Sequence, residues 1–186
     1  ADTPQEGWTL ATSGHLTARM RSASGELSPV TQVSPMGQDA FHTTVETRKQ
    51  NIMMHPDGSA AAAWSGFDGS DYRVYVAQMD SDGAWSSPMA LSVSGQNGKL
   101  PSLARGPEGG LAVSWQRSDG QYSRIQASVY QPDTQQWSLP VSLSAPGQSA
   151  FWSTLAWDGG ADFTATWSRR DGSKYRLESS RASSAP

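Results

Sequence analysis

The chain contains no cysteine. That absence excludes a disulfide scaffold, a thiolate zinc site, an iron–sulfur cluster and a cysteine nucleophile. No stretch reaches the roughly 18 consecutive apolar residues of a membrane-crossing helix, so no membrane partner is expected. Cations are few and dispersed. Fourteen Lys and Arg stand against 17 Asp and Glu, for a net charge of −3. A surface that grips phosphates needs clustered positive charge, so no nucleic-acid partner is expected. Catalytic motifs are missing too. His15, His42 and His55 belong to no His-Glu-x-x-His or His-x-His, and Gly-x-Ser-x-Gly does not occur. Spacing suggests no Ser/His/Asp set and no carboxylate pair. The expectation is a protein that is not an enzyme and uses no metal and no cofactor.

The chain does have eight tryptophans, 18 glycines and 11 prolines in 186 residues, and they recur with a period. Pro56-Asp57-Gly58 leads through a run of alanines to Trp64. Pro107-Glu108-Gly109 leads through Leu111-Ala112-Val113-Ser114 to Trp115, 51 residues on, and Trp167 follows 52 later. After each tryptophan come an Asp-Gly (Asp68-Gly69, Asp119-Gly120, Asp171-Gly172) and an arginine (Arg73, Arg124, Arg176). Then follow Trp85-Ser86 or Trp137-Ser138, a proline (Pro88, Pro140), Leu91-Ser92 or Leu143-Ser144, and a closing Gly95-Gln96 or Gly147-Gln148. An earlier, decayed copy has Leu27-Ser28 in the Trp-Ser place and ends at Gly37-Gln38.

Within one unit the apolar residues alternate. Leu111, Val113 and Trp115 share one face, as do Ile125, Ala127 and Val129. Asp-Gly turns favour hairpins because they tolerate positive φ. No segment carries a helical stripe. Each unit of about 51 residues therefore reads as four short antiparallel strands, and Pro140 marks the fourth as an edge strand. A repeat of this length and content predicts an all-β β-propeller built from four-stranded antiparallel blades. The burial logic is simple. A lone sheet cannot cover both of its faces, and stacking sheets around an axis covers them.

The expected organisation is a tail over residues 1–7, blades over 8–181 and a tail over 182–186. The blades divide as 8–38 (partial), 39–96 (with an inserted loop near 43–51), 97–148, and 149–181 (partial). Roughly three and a half blades is fewer than the about four to eight of a closed ring. The chain thus reads as half of a larger ring, with a four-bladed monomer as the competing reading. The start, Ala1-Asp2-Thr3-Pro4, predicts a mature end after signal cleavage and a secreted, extracellular protein.

Several residues are candidates for a role. A hairpin centred on each Asp-Gly would set Trp64 opposite Arg73, Trp115 opposite Arg124 and Trp167 opposite Arg176. Such pairs are structural clamps in which a guanidinium over an indole gains roughly 0.5–2 kcal/mol. Asp80-Ser81-Asp82-Gly83-Ala84-Trp85 has the wrong spacing for a sialidase Asp-box, and the stretch reads as a turn rather than a calcium loop. Gln5, Gln38, Gln50, Gln96, Gln135, Gln136 and Gln148 fall at the terminus or at turns. An accessible glutamine on mobile backbone is what a transglutaminase takes as acyl donor. The cross-linking candidates are Gln38, Gln5, Gln148 and Gln96, in that order. Trp152 and Trp157 would either pack between blades or stack on sugar rings.

The unit Trp-x-x-x-Asp-Gly-x-x-x-Arg, then Trp-Ser-x-Pro, then Leu-Ser-x-x-Gly-Gln, resembles the blade repeat of secreted actinobacterial β-propellers, over about Trp8 to Arg181. The resemblance implies a non-catalytic interaction propeller. It would engage an extracellular metalloprotease, promote its autolysis and donate glutamines to transglutaminase. It also implies a seven-bladed ring about twice this length, so a second chain or chain half would complete the circle. The alternative expectation is a carbohydrate-binding, lectin-like propeller.

Overall fold

The computed structural model describes residues 14–21, 24–40, 51–159 and 162–183. They form four antiparallel sheets and no α-helix. The first sheet pairs β1 (Thr17–Ala18) with β2 (Thr31–Gln32). The second is a meander of β3 (Asn51–Met54), β4 (Ala60–Phe67), β5 (Tyr72–Met79) and β6 (Met89–Ala90). The third contains β7 (Lys99–Arg105), β8 (Leu111–Ser118) and β9 (Ser123–Gln131). Both β10 (Gln136–Trp137) and β11 (Val141–Ser142) pair with β9. The fourth sheet runs β12 (Ala150–Trp157), β13 (Asp162–Asp171) and β14 (Lys174–Ser183). The expected single fourth strand over Trp137–Ser144 is thus two short pieces. Pro140 lies between them and has no N–H to give to a ladder. The expected strand at Trp8 and the inserted loop lie outside the described residues, apart from the loop's last residue, Asn51, which begins β3.

Consecutive sheets stack face to face, and period-2 alternation decides which residue goes where. Trp64, on β4, is buried with Val33, Ala40 and Ala77, toward the first sheet. Its neighbours Ala61 and Ala63 point the other way, into a cluster with Leu111, Val113 and Trp115 of the third sheet. Likewise Ala112 and Ile125 of the third sheet meet Phe163, Ala165 and Trp167 of the fourth. Each second-strand tryptophan therefore faces the preceding sheet, and the three are 1%, 0% and 3% exposed. The small residues on the opposite face (Ala61, Ala63, Ala112) leave room for the incoming indole. The described sheets form no closed ring.

The repeated serines hold the first three sheets together. Leu16, Val74 and Ile125 each donate a backbone N–H to a serine Oγ, of Ser34, Ser92 and Ser144, at 2.9 Å. The residue before each serine donates back: Val33 to Leu16, Leu91 to Val74 and Leu143 to Ile125, all at 2.8 Å. A second row repeats the device. Ser28, Ser86 and Ser138 accept from Met20, Gln78 and Val129 through their hydroxyls, at 2.8, 3.1 and 3.1 Å. So Leu27-Ser28 does occupy the Trp-Ser place, and Val33-Ser34 occupies the Leu-Ser place. The residue after each Gly-Gln is a third latch. The side-chain oxygens of Asp39, Asn97 and Ser149 accept from the backbone N–H of Gly14, Tyr72 and Ser123.

Candidate functional site

The Trp–Arg pairing is corrected by the register. Trp64 lies opposite Tyr75, Trp115 opposite Gln126 and Trp167 opposite Glu178. Arg73, Arg124 and Arg176 fall two positions away, opposite Gly66, Arg117 and Arg169. In the second and third sheets the turn chemistry explains the shift, whereas in the fourth Asp171 stays in the ladder opposite Lys174 and the two-residue turn is Gly172-Ser173. Asp68 does not sit inside a two-residue turn; it opens a four-residue loop. Its Oδ1 accepts from the N–H groups of Ser70 and Asp71 at 3.0 and 2.9 Å. Asp119 does the same with Gln121 and Tyr122 at 3.1 and 2.7 Å. These N–H donors hold both carboxyls below the ordinary carboxylate range. Gly69 and Gly120 then take φ of 104° and 98°, where a side chain would be strained.

The arginines clamp strands rather than indoles. Arg73 donates from Nε to the Ser92 carbonyl at 3.1 Å, and its Nη2 reaches the same oxygen. Arg124 donates from Nη2 to the Ser144 carbonyl and is paired with Asp119 at 3.4 Å. Arg176 differs. It reaches Asp171 at 2.6 Å, and its side chain is 73% exposed. Trp64 stacks on Tyr75 instead, with centroids 5.9 Å apart and planes 19° apart. Trp167 donates from Nε1 to Glu178 at 3.1 Å.

The glutamines occupy mixed environments. Gln38, Gln96 and Gln148 are half-buried beside Gly37, Gly95 and Gly147, which all have positive φ. The Oε1 atoms of Gln38 and Gln96 are buried without a hydrogen-bond partner. The Gln38 amide lies over Gly66, where a Cβ would meet Oε1 at 2.7 Å. Gln5 lies outside the described residues. Gln135 and Gln136 are exposed at the β9–β10 turn, and Gln135 takes φ 53°.

An aromatic patch marks the fourth sheet. Trp152 sits at φ 56° in a bulge between Phe151 and Thr154 and is 48% exposed. Its ring lies 5.6 Å from Phe151 and 5.7 Å from Tyr175, itself 55% exposed. Leu100 occupies the equivalent bulge of the third sheet, at φ 58°, and donates its N–H to Ser65 of the second sheet at 3.2 Å. Trp157 is different: it packs between sheets, against Gly106, where an added Cβ would meet the indole at 2.6 Å. Composition offered Trp152 and Trp157 as equals. Only the bulge, which spacing does not show, separates them.

A cleft of about 840 Å³ opens between the second and third sheets, lined by His55, Trp85, Arg105, Glu108, Tyr130 and Gln135 among others. Sequence spacing does not reveal this cluster, because its members come from four separate chain segments. Arg105 Nη1 donates to the Met54 carbonyl at 3.0 Å, tying the two sheets together. Burial and the nearby Arg105 push the His55 imidazole below its usual pKa. Asp57 and Asp80 also line the cleft, but their carboxylates are engaged in turns. Asp57 accepts from the Ser59 N–H and hydroxyl at 2.9 and 2.7 Å, and Asp80 accepts from Asp82 and Ala84 at 3.0 and 2.8 Å. Among the described residues no group of three His, Asp or Glu side chains is placed to hold a metal ion. No family model matches the chain, and no curated protein matches it significantly.

Proposed function

We propose that the chain is an arc of a β-propeller and works as a secreted, non-catalytic protein-interaction scaffold. The observation that carries this reading is the patch of Phe151, Trp152 and Tyr175. Large aromatics exposed together are what protein-binding surfaces use, and Trp is favoured at their centres. Holding a tryptophan at positive φ costs of order 1–3 kcal/mol, and such strain gathers at functional sites. Face-to-face stacking supports the propeller arc, since each sheet presents to its successor the face that the repeat was built to cover.

The partner follows from the motif resemblance. The blade unit is similar to that of the dispase autolysis-inducing protein, so the proposed partner is an extracellular neutral metalloprotease whose self-degradation the chain promotes. Promotion requires tighter binding to one protease state than to another. The test is residual protease activity over time with and without the chain. Faster loss is expected, and Trp152→Ala removes the acceleration. Identical decay curves contradict the proposal.

The proposed second role is glutamine donation to transglutaminase. The enzyme's thiolate must reach the carboxamide carbon. Gln38 and Gln96 therefore react only if their packing opens, whereas Gln135 presents its amide directly. Labelling with a fluorescent primary amine and mapping by mass spectrometry ranks them. We expect Gln135 and Gln148 to be modified ahead of Gln38 and Gln96. The Trp152–Tyr175 pair also favours a second reading, a lectin-like propeller that stacks sugars on this platform. A glycan array with no signal above background removes it.

A further inference from the structure

The first strands of the second, third and fourth sheets end on Met54, Arg105 and Trp157. These pair with Ala60, Leu111 and Phe163, each four residues before a buried tryptophan, so the three positions are equivalent. Between the third and fourth sheets Trp157 lies on Gly106 and fills the gap. Between the second and third sheets the same two places hold Arg105 and His55. The guanidinium is drawn onto the Met54 carbonyl at 3.0 Å, and the cleft of about 840 Å³ opens beside it. Its walls carry the half-buried rings of Trp85 and Tyr130. The carboxylates of Asp57, Asp80 and Glu108 line it, against the one guanidinium of Arg105. Burial, with Arg105 adding to the effect, holds the His55 imidazole back from protonation. Among the described residues none of the three carboxylates belongs to an ion pair. Glu108 is the least committed. Its counterpart Asp57 caps the Ser59 N–H, whereas in the third sheet the Gly110 N–H goes to the Pro107 carbonyl at 2.8 Å. The exposed Glu108 carboxylate is thus not spent on its own turn.

We propose that this cleft binds an arginine side chain carried on an extended segment of a partner polypeptide. The excess of carboxylates selects a cation. A guanidinium offers a carboxylate paired N–H donors and stacks on aromatic faces, and Trp85 and Tyr130 supply such faces for it and for its aliphatic stem. Glu108 supplies the ion pair. Asp57 and Asp80 spend Oδ1 on their turns and keep Oδ2 to strengthen the negative field. Arg105 does not compete for Glu108, because it forms no ion pair and is held on the Met54 carbonyl. The volume is several times that of one side chain and falls within the roughly 300–1,000 Å³ of ligand sites, so residues flanking the arginine are accommodated too. Both walls of the cleft belong to the second and third sheets. The inference is therefore separate from the aromatic patch of the fourth sheet, and it holds whether or not the partner is a protease.

The test is a two-dimensional amide NMR titration of the full chain with the capped peptide acetyl-Gly-Ala-Arg-Arg-Ala-Gly-amide. Saturable shifts are expected at the Trp85 indole N–H and at the Glu108 and Gly109 amides. The same peptide with citrulline in place of arginine keeps the shape and loses the charge, and it should bind more weakly by about fivefold or more. Glu108→Gln should weaken binding by about threefold, the scale of one partly exposed ion pair, and Glu108→Lys should abolish it. Glu108 is exposed, so melting curves of both variants should match the parent and serve as the folding control. Asp71→Asn, in the β4–β5 turn at the opposite strand ends, should leave binding unchanged. Absence of saturation up to millimolar peptide, equal binding of the citrulline peptide, tighter binding of a glutamate counterpart, shifts confined to another sheet, or indifference to both Glu108 variants overturns the inference. Spermidine binding as tightly as the peptide overturns the assignment to a polypeptide.

Discussion

Arg124 and Arg176 are the same residue of the repeat in unlike surroundings. Arg124 is 8% exposed and bonded to Ser144 and Asp119, whereas Arg176 is solvent-facing. Removing a buried, charge-assisted donor costs about 1.5–3 kcal/mol. Losing an exposed pair costs roughly 0–1. Arg124→Ala should therefore lower the melting temperature by several degrees, and Arg176→Ala should leave it nearly unchanged. Equal shifts would contradict the clamp. Gly106→Ala forces a Cβ into the Trp157 ring, a rigid neighbour, and should destabilise by about 1–3 kcal/mol in urea titration. The turn aspartates set a pH limit. A carboxyl whose pKa is lowered by folding contributes stability that is present above its unfolded value and is lost as pH falls through the folded one. Asp68 and Asp119 should thus hold their loops from neutral pH down to about pH 4, the ordinary carboxylate value, and release them below it. NMR titration midpoints at or above that value would contradict the capping.

At the scale of elements, the strands were legible because alternation and Asp-Gly turns are local. Leu111, Val113 and Trp115 declare a half-buried strand without reference to the rest of the chain. The register was not legible. It depends on whether the Asp68 carboxylate caps two N–H groups and lengthens the loop, and composition does not reveal that choice. The bulges at Leu100 and Trp152 were hidden for a similar reason: nothing in either residue type announces positive φ. The serine latches were visible only as a recurrence, and their meaning needed the pairing. They also carry a prediction. Ser144→Ala leaves the buried Ile125 N–H without its acceptor, which costs about 1–3 kcal/mol. Amide exchange in β9 should accelerate in that variant. Unchanged protection would mean that the latch is dispensable.

At the scale of the molecule, each described sheet packs against the sheets next to it in chain order. In such arrays stability is close to a sum of units and interfaces. The second and third sheets are covered on both faces, and the fourth leaves Leu177 and Tyr175 open. Limited proteolysis in mild denaturant should therefore cut in the first and fourth sheets before β4, β5, β8 or β9. The proposed propeller arc and its partners all depend on one geometric rule, that each second-strand indole is buried against the sheet before it. Nuclear Overhauser contacts from the Trp115 and Trp167 indoles to methyl-labelled side chains test that rule directly. The account predicts contacts from Trp115 to alanine and valine methyls of β4 and β5, and from Trp167 to those of β8 and β9. Indoles that contact only their own sheets, or three tryptophans in unrelated surroundings, would contradict it.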